Sequence, residues 1–542
     1  MAGGGKVRSD WNKYLLEDVV APAYGRLLEK VGSEIGQCDL FSSLWPVTTM
    51  VEPWASMVQK LYMSVCDLGL RVLYTETRGG QWISTKQAIF PDFSFSKAEE
   101  LSEALSDAGL PLVRVSKTVV EKFKEAYPSL HFLTPQLLRT LLTRRKRGFK
   151  NRSAMILTLE YCLYDINVPV QSDTLHGLPL VPLANGLFTA FSRKGEGERI
   201  FVTTCENEYG LLRDLVPHLL VDCSISEGVQ KKLCDIGRKG DSNISLLSCK
   251  SLEELFPRLM PPEWQNSKQV SWTPGHQGQP SREWMGLLWS YFTSSCDDLS
   301  MFSKWPILPV GNNCLLQLVR NSNVITEDGW SENMSSLLQK LGCFFLRSDF
   351  PIDHPQLKDF VQGPTASGIL NALLAVSGES HDIGRLFSDA SEGELHELRS
   401  FILQTKWFSG GQMNQKHINL LKQLPMFESY KSRKLVSLSN PTKWVKPEGV
   451  HEELLTDVFV RMESEKDKSI LGSYLDVREP ARAEFYKDYV LNRMSEFVSQ
   501  PAALSAILHD VKLLIREDPS MRTVLLQTPF VLAANGSWQH PS

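Results

Sequence analysis

The chain has 542 residues, 42% of them hydrophobic and 22% charged, which is the composition of a globular protein with the length for three to five domains. Its 58 basic and 62 acidic residues leave a net charge of -4, so no global field draws it to nucleic acid. No apolar run approaches the ~18 residues of a membrane-spanning helix, and the start, MAGGGKVRSDW, has neither a signal-peptide core nor the glycine after Met1 that myristoylation needs.

Leu15, Leu16, Val19, Val20, Tyr24, Leu27, Leu28 and Val31 fall on one face of a helix predicted over 9–31, with Ser9 and Asp10 as N-caps and a kink at Pro22. A second helix is expected over 52–69. Residues 70–90 then read as strand, Gly79-Gly80 turn and strand. Ser96 and Glu99 form the pattern of a capping box for a helix that stops at Ala108-Gly109. The same order returns at SENMSSLLQKLGCFFL (331–346), with its stop at Leu341-Gly342.

Two later stretches are nearly alike: PLVPLANGLF at 179–188 and PFVLAANGSW at 529–538. Pro179, Val181, Ala184, Asn185 and Gly186 recur as Pro529, Val531, Ala534, Asn535 and Gly536, while Trp538 replaces Phe188. An apolar run broken by Asn-Gly predicts a β-hairpin with a type I′ turn, both central residues taking φ > 0. Looser copies begin at Pro306, with Gly311-Asn312-Asn313 at the turn, and at Pro425, with a longer charged turn. The four prolines are 127, 119 and 104 residues apart, too far for a simple solenoid. The spacing suits a helix-rich α+β fold of serial subdomains, each joining a β-hairpin or small sheet to several helices: 1–176, 177–304, 305–423, 424–527 and the start of a further unit at 528–542. Polar or Pro/Gly-rich stretches at 192–199, 260–283 and 440–449 are the candidate linkers.

The search for chemistry is mostly negative. There is no phosphate-binding loop, no GxGxxG, no HExxH and no CxxC, and no two of the eleven histidines stand four apart. Catalytic, cofactor-binding and metal-ligating residues are therefore assigned nowhere. Ser380, His381 and Asp382 are adjacent, an arrangement that prevents convergence as a triad. The ten cysteines are scattered, which predicts reduced, buried thiols. One charged feature stands out. Arg139, Arg144, Arg145, Lys146, Arg147, Lys150 and Arg152 collect around and beyond a helical stripe of Leu137, Leu138, Leu141 and Leu142, and the cations from Arg144 on are the candidate contact residues. They are a solvated helix terminus, a contact surface for an acidic or phosphate-bearing partner, or a nuclear address. With only Phe149 interleaved, a nucleic-acid platform is a weak reading. The thirteen tryptophans are read as core residues.

The phrases RSDWNKYLLEDVVAPAYGRLL (8–28), WPILPVGNNCLLQL (305–318), GPTASGILNAL (363–373), LPMFESYKSRKLVSL (424–438) and PFVLAANGSW together resemble the large repeat of the sacsin family, in its plant form. The resemblance implies an internal segment of a giant protein, entered after an ATPase-like module related to the ninety-kilodalton heat-shock chaperone. It also implies a cytoplasmic chaperone or co-chaperone working with heat-shock chaperones and client proteins. That family's nucleotide site needs an Asp-x-Gly-x-Gly loop. The nearest stretches, DAGLP (107–111) and EDGWS (327–331), lack the second glycine, so no ATP site is assigned and the segment is expected to be a non-catalytic scaffold. Two other readings stand beside it: a substrate-recruiting arm for ubiquitin ligation, suggested by the RING finger of plant relatives, and a phosphate or nucleic-acid binder acting through 144–152.

Overall fold

The computed structural model describes residues 14–20, 22, 23, 26, 69, 71 and 73–540, apart from 116, 145–148, 150, 167–171, 277, 351, 379–382, 405–413, 440, 441, 463, 498, 530, 534 and 536. The chain forms two compact units, Met1–Leu259 and Met260–Ser542. It is a helix-rich α+β protein with several small sheets.

In the first unit Leu15–Val20 is helical, with Leu15, Val19 and Val20 exposed, while the helix expected over 52–69 lies, but for Gly69, outside the described residues. The predicted first hairpin is present as β1 (Leu73–Thr75) and β2 (Gln81–Ile83). Strand β3 (Ile89–Phe90) and helix α1 (Ala98–Asp107) follow, then an extended stretch at 112–114, helix α2 (Lys117–Ala126) and β4 (His131–Phe132). The capping box at Ser96 and Glu99 does not form. Helix α1 begins one residue later than that box requires, and its N-cap, Lys97, makes no side-chain cap. Its end is as predicted. Leu110 N–H reaches Leu105 O and Gly109 N–H reaches Ser106 O, with Gly109 at φ 89°. Helix α3 (Pro135–Arg144) and α4 (Arg152–Cys162) complete the segment.

The pairings then repeat. In 181–246 the elements are hairpin β5 (Val181–Pro182) and β6 (Phe188–Thr189), then β7 (Ile200–Val202), α5 (Glu206–Arg213), α6 (Glu227–Lys239) and β8 (Ile244–Leu246). Strand β3 pairs in parallel with both Leu112 and β4, and β7 pairs in parallel with both Leu220 and β8. Each hairpin's first strand joins the strand at 112–114 or 220–222: Arg114 N–H donates to Tyr74 O at 2.9 Å, and Asp222 N–H to Pro182 O at 3.0 Å. Both segments therefore build a five-stranded mixed sheet in the order 2-1-4-3-5, counting strands along the segment. The all-buried Ile200, Phe201 and Val202 are what a parallel strand covered on both faces requires. Helix α7 (Cys249–Leu259) closes the unit.

The second unit contains two more such sheets. Hairpin β10 (Pro306–Val310) and β11 (Cys314–Gln317) is followed by β12 (Val324–Ile325), α9 (Glu332–Lys340), β13 (Phe344–Phe345) and α10 (Ala366–Ser377). Strand β12 pairs in parallel with β13 and with Gln362, and Arg347 N–H donates to Pro309 O at 3.1 Å. Helix α9 ends as α1 does, Cys343 N–H reaching Leu338 O and Gly342 N–H reaching Gln339 O. After α11 (Glu392–Gln404) and α12 (Gln415–Gln423) come hairpin β14 (Phe427–Glu428) and β15 (Leu435–Val436), then β16 (Trp444–Val445) and β17 (Phe459–Val460). Strand β16 pairs in parallel with β17 and takes a bond from Val445 N–H to Arg478 O, while Arg461 N–H donates to Glu428 O at 2.8 Å. Helices α13 (Pro501–Glu517) and α14 (Met521–Leu526) lead to a fifth hairpin, β18 (Val531–Leu532) and β19 (Trp538–Gln539).

Three expectations are corrected. The turn at Asn185-Gly186 is not type I′: only Gly186 takes positive φ, at 86°, within a three-residue loop closed by Leu183 N–H to Leu187 O. Asn185 acts through its side chain instead, accepting from Leu187 N–H at 3.0 Å, and Asn535 accepts from Ser537 N–H in the same way. The stretch 260–283, expected as a linker, supplies β9 (Gln269–Ser271), which pairs with β11, and buries Trp264 and Trp272. Its apolar anchors are spaced too irregularly to show a period. The cysteines are not uniformly reduced: Cys162, Cys205, Cys223, Cys234, Cys314 and Cys343 are free, whereas Cys249 and Cys296 are disulfide-bonded.

The motif GPTASG has a steric reason for its last glycine. Thr365 caps α10 by accepting from Gly368 N–H at 3.0 Å, and this tight first turn brings Gly363 O against the place a Cβ on Gly368 would occupy. Gly368→Ala is therefore expected to destabilise the second unit by about 1–3 kcal/mol, the usual cost of overpacking, as a lower midpoint in urea denaturation.

Candidate functional site

The basic run is divided by the fold. Arg144 is exposed at the end of α3, and Arg145, Lys146, Arg147 and Lys150 lie outside the described residues. Arg152 faces other groups of the protein. At the N-terminus of α4, which Asn151 caps through Ala154 N–H at 2.7 Å, its guanidinium donates to Gly186 O at 3.0 Å, pairs with Asp222 and lies 5.4 Å from the Phe188 ring centre. It thereby ties the helix to the Asn-Gly hairpin and to the central strand of the second sheet. Arg139, inside the same stretch, is buried, donating to Cys162 O at 2.6 Å and to both oxygens of Asp165. A run of like charge in sequence is thus partly a set of internal clamps.

In the second unit a comparable clamp escaped the sequence reading. Asp510 on α13 is 1% exposed; it accepts from Tyr486 Oη at 2.5 Å and from Arg482 Nη2 at 2.6 Å. His451 Nε2 lies 3.7 Å away, and Arg482 Nη1 also lies 3.6 Å from Glu517. Burial, reinforced by the Asp510 carboxylate, pushes the Tyr486 hydroxyl well above its ordinary range, so it acts as a fixed donor. The signal was in the helical spacing: Ala503, Ala506, Ile507, Asp510 and Leu514 share the buried face, and one of them is a carboxylate.

A second pair fixes α9 against α11. Lys340 Nζ donates to both oxygens of Glu394, at 2.8 and 3.0 Å, and Ser391 N–H donates at 2.8 Å. These bonds hold the Glu394 carboxyl at about 2. Because that lies below the ordinary value of ~4.3, the pair's stabilisation is complete above pH ~4.3 and is lost as pH falls toward 2. Thermal midpoints compared at pH 5 and pH 3 should fall less for Lys340→Met than for the unaltered chain.

Burial raises the thiols of Cys162 and Cys343 to about 12, which removes them as nucleophiles at neutral pH. A groove of ≈ 410 Å³ between α1 and α4 is lined by Glu100, Glu103, Asp107 and Glu160, the last bound to Lys97 at 2.9 Å, with no imidazole or thiol. Among the described residues no group of three or more His, Cys, Asp or Glu could hold a metal ion, and no helix is long and apolar enough to cross a membrane. Ser380, His381 and Asp382 lie outside the described residues. Trp264, Trp272, Trp284, Trp289 and Trp305 are all buried, so they pack cores instead of presenting a ligand box.

The fold thus defines a helix-rich α+β protein of recurring small sheets held by internal charge clamps. The chain is similar to human sacsin, at 25% identity over 405 residues, with 67% of this chain and 8% of that protein covered. It spans 8% of the length of that relative, a similarity that supports a sacsin-like relationship. No family model matches the chain, and no solved structure matches it.

Proposed function

We propose that this chain is a non-catalytic scaffold segment of a sacsin-like, plant-type chaperone or co-chaperone, lying within the repeat region downstream of an ATPase-like module. Its subdomains are 1–176, 177–304, 305–423 and 424–527, with a further unit beginning at 528, and they hold surfaces in fixed geometry for heat-shock chaperones and client proteins. It is not an enzyme, binds no cofactor and acts in the cytoplasm. The observation that carries this reading is the recurrence of one sheet pattern in four segments, whose buried charged groups are spent on clamping elements together. Similarity to sacsin supplies the chaperone context. Thiol titration of the purified chain tests the cytoplasmic assignment against the disulfide-bonded Cys249 and Cys296: a cytoplasmic protein leaves both thiols free.

The test is direct. The full chain, immobilised, should retain a purified heat-shock chaperone of the ninety-kilodalton class and slow the aggregation of a chemically unfolded client, with no turnover of ATP. Hydrolysis of ATP that a single polar substitution abolishes would contradict the scaffold reading. Failure to retain the chaperone and to slow aggregation would remove the chaperone role.

A further inference from the structure

Among the described residues six cysteines are free, and four of them, Cys162, Cys234, Cys314 and Cys343, are buried. The two exposed ones, Cys205 and Cys223, come to the same end of one sheet. Strand β7 pairs in parallel with the strand at 220–222, Phe201 opposite Leu220, and Val221 N–H donates to Phe201 O at 2.9 Å. Cys205 lies four residues beyond Phe201 and Cys223 three beyond Leu220. Both therefore leave the carboxyl ends of neighbouring strands, one residue out of step. Parallel strands run ~4.8 Å apart with ~3.3 Å per residue, which puts two such positions about 6 Å apart, within the Cα span that a disulfide bridges.

Local bonds fix both positions. Thr204 N–H and Oγ donate to Glu208 at 2.6 and 3.0 Å, which sets the start of α5 with Cys205 as its extended N-cap residue. The Cys205 thiol makes no capping bond, so the helix leaves it unused. After the other strand, Ser224 N–H and Oγ donate to the Asp222 carboxylate and turn the chain at Cys223. The two ends then meet through α5. Tyr209, whose N–H donates to Cys205 O at 3.2 Å, interacts through its hydroxyl with both the thiol and the main chain of Cys223. Side chains on a helix lean toward its N-terminus, so that contact draws Cys223 to the Cys205 end of α5.

We propose that Cys205 and Cys223 form a redox-modification site, a dithiol that a small disulfide of the glutathione class closes into an intramolecular bond. In the first step one cysteine thiolate attacks a sulfur of the small disulfide. A mixed disulfide forms, and one small thiolate leaves and takes up a proton. The second cysteine, as its thiolate, then attacks the protein sulfur of the mixed disulfide. The Cys205–Cys223 bond forms, the second small thiol leaves, and the two electrons given up by the pair reside in two small thiols. Exposure admits the oxidant to this pair, whereas the four buried thiols are shielded from it. In a reducing compartment such a bond is transient and follows the redox poise. Once closed, it ties the start of α5 to the strand whose Asp222 N–H bonds the Asn-Gly hairpin.

The purified full chain, equilibrated with graded ratios of oxidised to reduced glutathione, trapped with N-ethylmaleimide and digested with trypsin, tests this. Cleavage after Arg199, Arg213 and Lys231 places the two cysteines on separate peptides, 200–213 and 214–231. The two peptides should appear disulfide-linked, returning to free thiols as reduced glutathione rises. In Cys223→Ser, Cys205 should instead hold the glutathione adduct, about tenfold more of it than in the unaltered chain, because the intramolecular second step is gone. Cys205→Ser should do the same at Cys223. Glutathione adducts persisting on both cysteines of the unaltered chain, absence of oxidation at either, or linkage of either to Cys234 or Cys249 would each overturn the proposal. The assay contains no chaperone and no client, so its outcome is separate from that of the scaffold reading.

Discussion

Asp510→Ala is expected to cost the 260–542 unit about 3–5 kcal/mol, the usual penalty for removing one member of a buried ion pair. The carboxylate lies within the core formed by Phe485, Tyr486, Ile507 and Leu514, and two strong donors point at it. Without it the Arg482 guanidinium keeps only a 3.6 Å approach to Glu517, and the Tyr486 hydroxyl loses its acceptor. The cost therefore comes from stranded donors more than from a lost attraction. This has a consequence that separates the two causes. The double change Asp510→Leu with Arg482→Met removes the acceptor and its charged donor together, leaving only the Tyr486 hydroxyl stranded, and should recover most of the loss. Urea denaturation of the unaltered chain and the two variants checks it; a double variant as unstable as the single one would show that the clamp itself carries the stability.

Trp289→Ala should be similarly severe, about 3–5 kcal/mol, through loss of a fully buried indole. The ring packs edge-on against Phe292 at 5.4 Å, and its Nε1–H donates to Ile307 O at 3.0 Å. That carbonyl sits where the β10–β11 register shifts between Pro306 and Leu308, so the ladder does not serve it and α8 (Arg282–Ser295) does. Trp289→Phe keeps most of the apolar volume and loses only the donor, and a smaller loss of about 1–3 kcal/mol is expected from the stranded carbonyl. Guanidinium denaturation in which Phe and Ala were equally damaging would assign the whole effect to that one bond.

How much of this was legible follows from what each element writes into sequence. Hairpins announce themselves through turn residues, and the strands after Pro179, Pro306, Pro425 and Pro529 are where the apolar runs put them. Helix stops at Gly109 and Gly342 were readable because the left-handed C′ position favours glycine. The parallel strands were not. Each is two or three residues long, with partners 15 to 44 positions away across a helical segment, and no local period marks them. Their signature is comparative: PLVR, LLVD, FFLR and VFVR at 111–114, 219–222, 344–347 and 458–461 become visible once their hydrogen bonds coincide. The candidate site was half legible. Charge at 144–152 was obvious, but whether Arg152 faces a partner or Asp222 depends on a carboxylate seventy residues on. Asp510 could have been found as the one charge on an apolar helix face.

The central claim is that one sheet pattern recurs in four segments, each with its hairpin bonded to the strand that follows the first crossover. Residue-resolved native-state amide exchange tests it at four positions: Arg114, Asp222, Arg347 and Arg461, whose N–H groups make those bonds. The account predicts that all four exchange slowly, with the cooperative opening of their own sheets. Exchange at the rate of a solvated loop at these positions, while neighbouring helices stay protected, would contradict it.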